Sequence, residues 1–132
     1  MDREYDIIVW GATGFTGRLV VDYMADQQAD SNLKWAVGGR NPQKLQQMLA
    51  DRDVAMVIAD SGDEASIEAL VRKTRVILTT VGPYARYGSS LVAACAKLGT
   101  DYCDLTGEVH WMREMITAYQ EEARATGARI VH

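Results

Sequence analysis

Cysteine is scarce in this chain: Cys95 and Cys103 are the only two in 132 residues. That is no disulfide framework of the kind that staples small secreted domains. Positive charge is not in excess either. Fourteen basic residues against 18 acidic ones leave a net charge of −4, which argues against nucleic acid or an anionic membrane surface as the main partner. No apolar run approaches the roughly 18 residues needed to cross a bilayer. Met1-Asp2-Arg3-Glu4 begins no apolar signal segment, so the expected location is the cytoplasm. Two catalytic signatures are also missing. None of Lys34, Lys44, Lys73 or Lys97 has a tyrosine four positions earlier, so the Tyr-x-x-x-Lys pair of short-chain dehydrogenases is absent. No Gly-Lys-Ser/Thr of a P-loop occurs. With 48% apolar and 24% charged residues, the chain is long enough for one domain with a proper core, 1–132, and too short for two ordinary ones.

Short, near-continuous apolar runs alternate with helical spacing. The expected strands are Asp6–Trp10, Leu33–Gly38, Val54–Ala59, Val76–Thr80, Asp101–Leu105 and Ala128–Val131. Between them apolar residues recur at helical intervals. The stripes are Leu19, Val20, Tyr23 and Met24; Leu45, Met48 and Leu49; Ile67, Leu70 and Val71; Leu91, Val92, Cys95 and Leu98; and Trp111, Met112, Met115, Ile116 and Tyr119. Asn41-Pro42 has the form of an N-cap with proline at the first helical position, and Gly99 and Gly127 stand where helices end. Six strands with five intervening helices predict an α/β, doubly wound parallel sheet, a Rossmann fold with strand order 3-2-1-4-5-6 and helices on both faces.

The first strand runs into Gly11-Ala12-Thr13-Gly14-Phe15-Thr16-Gly17, followed by the helical pattern at Leu19. Bare N–H groups and the positive dipole end of a helix N-terminus attract phosphate. Glycines let the backbone come close to a pyrophosphate. All seven residues are therefore candidate dinucleotide contacts, the alternative being a tight turn of any α/β domain. The G-x-x-G-x-x-G spacing leans towards a phosphorylated cofactor.

NAD-specific folds place Asp or Glu after the second strand to hold the ribose 2′-hydroxyl. Here that strand ends Gly38-Gly39-Arg40-Asn41. Arg40, with Asn41 beside it, offers a fork of donors suited to a phosphate, or else is a solvated loop arginine. NADP(H) is thus expected in preference to NAD(H). Asp60 and Ser61 close the third strand near an expected adenine position, with an N-cap for the next helix as the other account. Thr80, Val81, Gly82, Pro83 and Tyr84 close the fourth strand beside the reversal in strand order, where ligands sit; a plain strand-to-helix turn is the other account.

Asp104 and Glu108, in the segment that ends the fifth strand, either face a nicotinamide, hold a second domain, or sit near a helix N-terminus capped by Thr106. Cys95 and Cys103 both read as buried packing residues, the tryptophans as packing residues too. His110 and His132 suggest no metal site. No catalytic acid or base is identified.

Four segments together resemble the N-terminal NADP-binding domain of the saccharopine dehydrogenase-like family: Gly11–Gly17, Gly38-Gly39-Arg40-Asn41, Thr80-Val81-Gly82-Pro83-Tyr84 and Tyr102-Cys103-Asp104-Leu105-Thr106-Gly107-Glu108. The similar branch holds saccharopine dehydrogenase-like oxidoreductases and the trans-acting enoyl reductases of lipid synthesis. The resemblance implies an NAD(P)-dependent oxidoreductase. Its glycine turn would hold pyrophosphate, Arg40 the 2′-phosphate and the Gly82-Pro83-Tyr84 loop the nicotinamide side. It also implies a following substrate and dimerisation domain outside this chain, with small-molecule substrate bound mainly there and a homodimer as the assembly. A non-catalytic module that senses NADP(H) is the alternative.

Overall fold

β-Branched and aromatic residues in runs of four to six build the first strands, and glycine, Asn-Pro or Asp ends each run. The structure is a computed structural model describing residues 2–132. Its elements are β1 (Tyr5–Trp10), α1 (Phe15–Gln27), β2 (Trp35–Gly39), α2 (Pro42–Leu49), β3 (Ala55–Ile58), α3 (Glu64–Arg72), β4 (Thr74–Thr79), α4 (Tyr84–Tyr87), α5 (Ser89–Leu98), β5 (Asp101–Cys103), α6 (Val109–Thr126) and β6 (Ile130–Val131). The six strands form one sheet in the order β3-β2-β1-β4-β5-β6, and every pairing is parallel. This is the expected doubly wound order. The short α4 was not among the expected helices; Pro83 stands at its N-cap.

Alternation along the strands divides the core into two layers. Ile8, Trp10, Ala36, Ile77 and Tyr102 pack with α3, α5 and α6 through Ile67, Leu70, Leu91, Cys95, Trp111 and Met115. Val9 and Val37 turn to the other face, against Val21 and Met24 of α1 and Leu45 and Leu49 of α2. Helices therefore cover both faces, as the continuous apolar strands require. Several boundary signals act as expected. The Asn41 side chain accepts from the Lys44 amide, and Gly99 and Gly127 end α5 and α6 with φ of +70° and +83°.

Three packing expectations need correction. In α1 the buried residues are Gly17, Val21 and Met24, whereas Leu19 and Tyr23 are exposed and form an outer stripe with Phe15, at 57%, 63% and 84% of full exposure. The rotation of α1 is set by the close approach of Gly17 to the strand exit, described below, and not by the larger apolar count. In α6, Trp111 and Met115 are buried but Ile116 is exposed, since its face looks past the sheet edge at β6. Cys103 is only half-buried; next to Tyr102 in the strand, it faces the other side of the sheet, away from α6. Cap assignment also shifts: α3 is capped by Asp63, whose Oδ1 accepts from the Ala65 and Ser66 amides, not by Asp60 or Ser61.

No helix among the described residues is long and apolar enough to cross a membrane.

Candidate cofactor site

The chain leaves β1 at Trp10 and turns sharply. Gly11 has φ of +86°, a left-handed conformation that glycine adopts without steric cost, and a Cβ there would overlap the Val81 side chain. The Gly11 and Ala12 amides both donate to the Gly38 carbonyl, at 3.2 and 3.4 Å, and the Gly14 amide donates to the Gly11 carbonyl at 3.2 Å. These bonds tie the turn to the end of β2. Thr80 ties it to the end of β4: its amide donates to the Trp10 carbonyl at 3.2 Å and its hydroxyl to the Gly11 carbonyl at 3.4 Å.

α1 then begins against this turn. A Cβ at Gly17 would overlap the Gly11 carbonyl oxygen and crowd the Ala12 backbone, whereas one at Gly14 would stand 3.5 Å from that oxygen, an ordinary contact. Gly17 therefore allows the helix to start directly beneath the turn. The amides of Thr13, Phe15, Thr16 and Gly17 donate to no acceptor among the described residues, as expected for the first turn of a helix. Gly14 caps α1 with no side-chain hydrogen bond, and α1 carries no acid in its first turn. The opening lies at the carboxyl ends of β1 and β4, where the strand order reverses. Doubly wound sheets hold their ligands in that crevice. The glycine cradle and the bare amides fit the diphosphate of a dinucleotide.

The other candidate residues follow β2, β3 and β4 at their carboxyl ends. Arg40 is exposed, follows β2 directly and makes no ion pair among the described residues. Asn41 uses its side-chain oxygen as the α2 cap. The Asp60 carboxylate accepts from the Gly62 amide at 2.9 Å and its amide donates to the Ser66 hydroxyl at 2.8 Å. Ser61 is half-buried. Ala12 is buried, so it can offer only backbone. In the β4 exit loop, Gly82 and Pro83 are exposed and joined by a cis peptide bond, while Val81 packs against Gly11. Tyr84 turns its side chain into the core: its ring stacks on Trp111, with centroids 5.6 Å apart, and its hydroxyl donates to the Thr79 carbonyl at 3.3 Å.

The two acids after β5 have internal employment. Glu108 accepts from the Tyr84 and Ala85 amides, at 2.6 and 3.1 Å, and so caps α4 rather than its own helix. The Asp104 carboxylate is fully buried and accepts from the Tyr102 hydroxyl at 2.6 Å and the Thr106 amide at 3.1 Å, with His132 Nδ1 at 3.0 Å. Burial, with the Asp104 carboxylate adding to it, pushes the Tyr102 hydroxyl far up. Burial likewise pushes the Cys95 thiol far up and the Cys103 thiol up, so neither is an activated nucleophile. A groove of about 320 Å³ between α6 and β6, lined by Met115, Tyr119, Ile130 and His132, lies at the sheet edge and not at the glycine turn.

Comparison with known proteins agrees with this geometry. Residues 7–131 match the family described as the saccharopine dehydrogenase NADP binding domain. The chain belongs to that family. Among curated relatives of this NADP-binding domain is the trans-acting enoyl reductase of Mycobacterium ulcerans (strain Agy99), 49% identical over 135 residues, covering 98% of this chain and 32% of the relative. Another is the trans-acting enoyl reductase of Mycobacterium leprae (strain TN), 43% identical over 134 residues with the same coverage. The domain thus spans about a third of the length of the curated relatives it matches. Among solved structures, apo saccharopine dehydrogenase (L-Glu forming) from Saccharomyces cerevisiae superposes with a TM-score of 0.71 at 14% identity, over 96% of this chain and 26% of that one. The triphenylmethane reductase of Citrobacter sp., complexed with NADP(H), gives 0.69 at 20% identity, over 95% and 48%. These two likenesses bear on the fold alone.

Proposed function

We propose that this domain binds NADP(H) in preference to NAD(H) and orients the nicotinamide for hydride exchange with a substrate held mainly by residues outside the chain. The observation that carries the reading is the row of bare amides at the start of α1, set beside a β2 end that carries Arg40 and no carboxylate. Thr13, Phe15, Thr16 and Gly17 would donate backbone hydrogen bonds to the diphosphate, Arg40 would pair with the 2′-phosphate, and the exposed Gly82-Pro83 segment would border the nicotinamide half. A bound nicotinamide supplies the hydride; the protein supplies binding and orientation. The domain's share of the relatives' length supports a further part beyond it, to which we assign substrate binding, and the relatives' names support reduction of an enoyl group as the chemistry.

The test is a fluorescence titration with NADPH and NADH. NADPH should bind more tightly, and Arg40→Ala should reduce that advantage by roughly tenfold, the worth of one charge-assisted contact. Equal binding of the two nucleotides, unchanged by the substitution, overturns the preference.

One observation favours a second reading, a non-catalytic NADP(H) sensor. Asp104 and Glu108, the acids nearest the nicotinamide side, are both held by internal hydrogen bonds, and the same fold serves both roles. Substrate-dependent oxidation of NADPH by a chain of the relatives' length supports the enzyme; tight NADPH binding without turnover on any enoyl thioester supports the sensor.

A further inference from the structure

A second arginine stands at the same opening. Arg18 is exposed on the first turn of α1, and its Nε donates to the Thr13 carbonyl at 3.2 Å. That bond holds the guanidinium beside the middle of the glycine turn, and its two terminal nitrogens have no acceptor among the described residues. No carboxylate pairs with it among the described residues.

The direction Arg18 faces follows from its own helix. Asp22 lies one turn further along the same face of α1, and its carboxylate pairs with Arg52, at 2.7 Å, in the segment between α2 and β3. This face of α1 therefore looks towards α2. Both helices begin at the carboxyl ends of their preceding strands, so Arg18 looks towards the first turn of α2, where Arg40 and Asn41 stand. The hydrogen bonds from Gly11 and Ala12 to the Gly38 carbonyl hold the glycine turn and the β2 end together. This placement puts both arginines on the same side of the glycine turn, and neither has an acidic partner among the described residues.

We propose that Arg18 and Arg40 grip the 2′-phosphate of the cofactor from two sides, so that selection of the phosphorylated dinucleotide is shared between α1 and the β2 end. The assignment rests on the reading of this opening as the NADP(H) site. A phosphate monoester carries about −1.5 to −2 charges near neutral pH, which suits two guanidinium forks. Each ester phosphate of the diphosphate bridge carries less, and bare amides already serve it.

Wild type, Arg18→Ala, Arg18→Lys, Arg40→Ala and the double variant would be titrated with NADPH, NADH and 2′,5′-ADP. Arg18→Ala should weaken NADPH and 2′,5′-ADP by roughly tenfold, leaving NADH unchanged. Arg18→Lys, which keeps the charge but not the fork, should fall between wild type and Arg18→Ala. The double variant should bring NADPH close to NADH. Equal weakening of NADPH and NADH by Arg18→Ala would place this arginine on the diphosphate or in a merely structural role, and overturns the assignment. So does an unchanged NADPH affinity. Wild-type protein that binds neither dinucleotide overturns the site reading itself, an outcome distinct from the other two.

Discussion

The two sides of the sheet use their polar groups in opposite ways. On the β1-α1-β2 side, the opening carries donors with no acceptor among the described residues: the Thr13, Phe15, Thr16 and Gly17 amides, the terminal nitrogens of Arg18 and the Arg40 guanidinium. On the β4-β5-β6 side, carboxylates and hydroxyls are paired within the fold, although the buried Nε2 of His132 has no partner among the described residues. Glu108 caps α4, Asp104 gathers Tyr102, Thr106 and His132, and Thr79 accepts from Tyr84 and Val81. Unpaired donors at a surface cost little while water serves them, and they are available to an anion. Buried carboxylates must be paired inside the fold or they destabilise it. The first side is therefore organised to receive a ligand, and the second to hold a shape next to it.

The sharpest way to break this contrast is at Gly17. Gly17→Ala places a Cβ on the Gly11 carbonyl and should cost about 3 kcal/mol of stability, the upper end of ordinary overpacking, with NADPH binding lost. Gly14→Ala has room and should cost less than about 1 kcal/mol. Urea denaturation with a parallel NADPH titration measures both. If Gly17→Ala binds and folds like Gly14→Ala, the close approach of helix and turn does not define the cradle.

Asp104→Asn tests the other side. It removes a buried acceptor from two side chains and should destabilise by about 2 kcal/mol, leaving the ratio of NADPH to NADH affinity as in wild type. A changed ratio with unchanged stability would move Asp104 to the ligand-binding side of the comparison.

The smallest effect is expected at the sheet's far edge, where Asp101 meets Arg129. Burial pushes the Asp101 carboxyl up, but hydrogen bonds from the Arg129 amide and guanidinium outweigh it and hold it below its ordinary 3.8. A carboxyl depressed in the folded state stabilises above its unfolded value, and that contribution disappears as pH falls through the folded one. Asp101→Asn should therefore lose about 1 kcal/mol near neutral pH. The difference from wild type should close below about pH 4 in urea melts taken across acid pH. A gap that stays constant to pH 2 would show that the charge of Asp101 contributes nothing.

Much of this architecture was legible in the residues because the signals are local. Strand runs, helical spacing, the Asn41-Pro42 start and the helix-ending glycines at 99 and 127 each depend on neighbours a few positions away. The glycine turn was legible for the same reason. Strand order followed because parallel crossovers leave few choices. The face of α1 was not legible. Leu19 and Tyr23 fit a helical stripe as well as Val21 does, and only the approach of Gly17 to the Gly11 carbonyl selects between them. Nor could spacing reveal that Glu108 serves the amides of Tyr84 and Ala85, 24 and 23 positions back, or that Asp104 meets His132 across 28.

By itself, then, the amino-acid order determined the kinds of element, their succession and the place where backbone amides would be left open, since each follows from short-range sterics and periodicity. The fold decided how α1 is rotated and that Glu108 and Asp104 are engaged in capping and buried pairing. Those outcomes depend on distances between segments remote in the chain, which only close packing of helices on a twisted sheet sets.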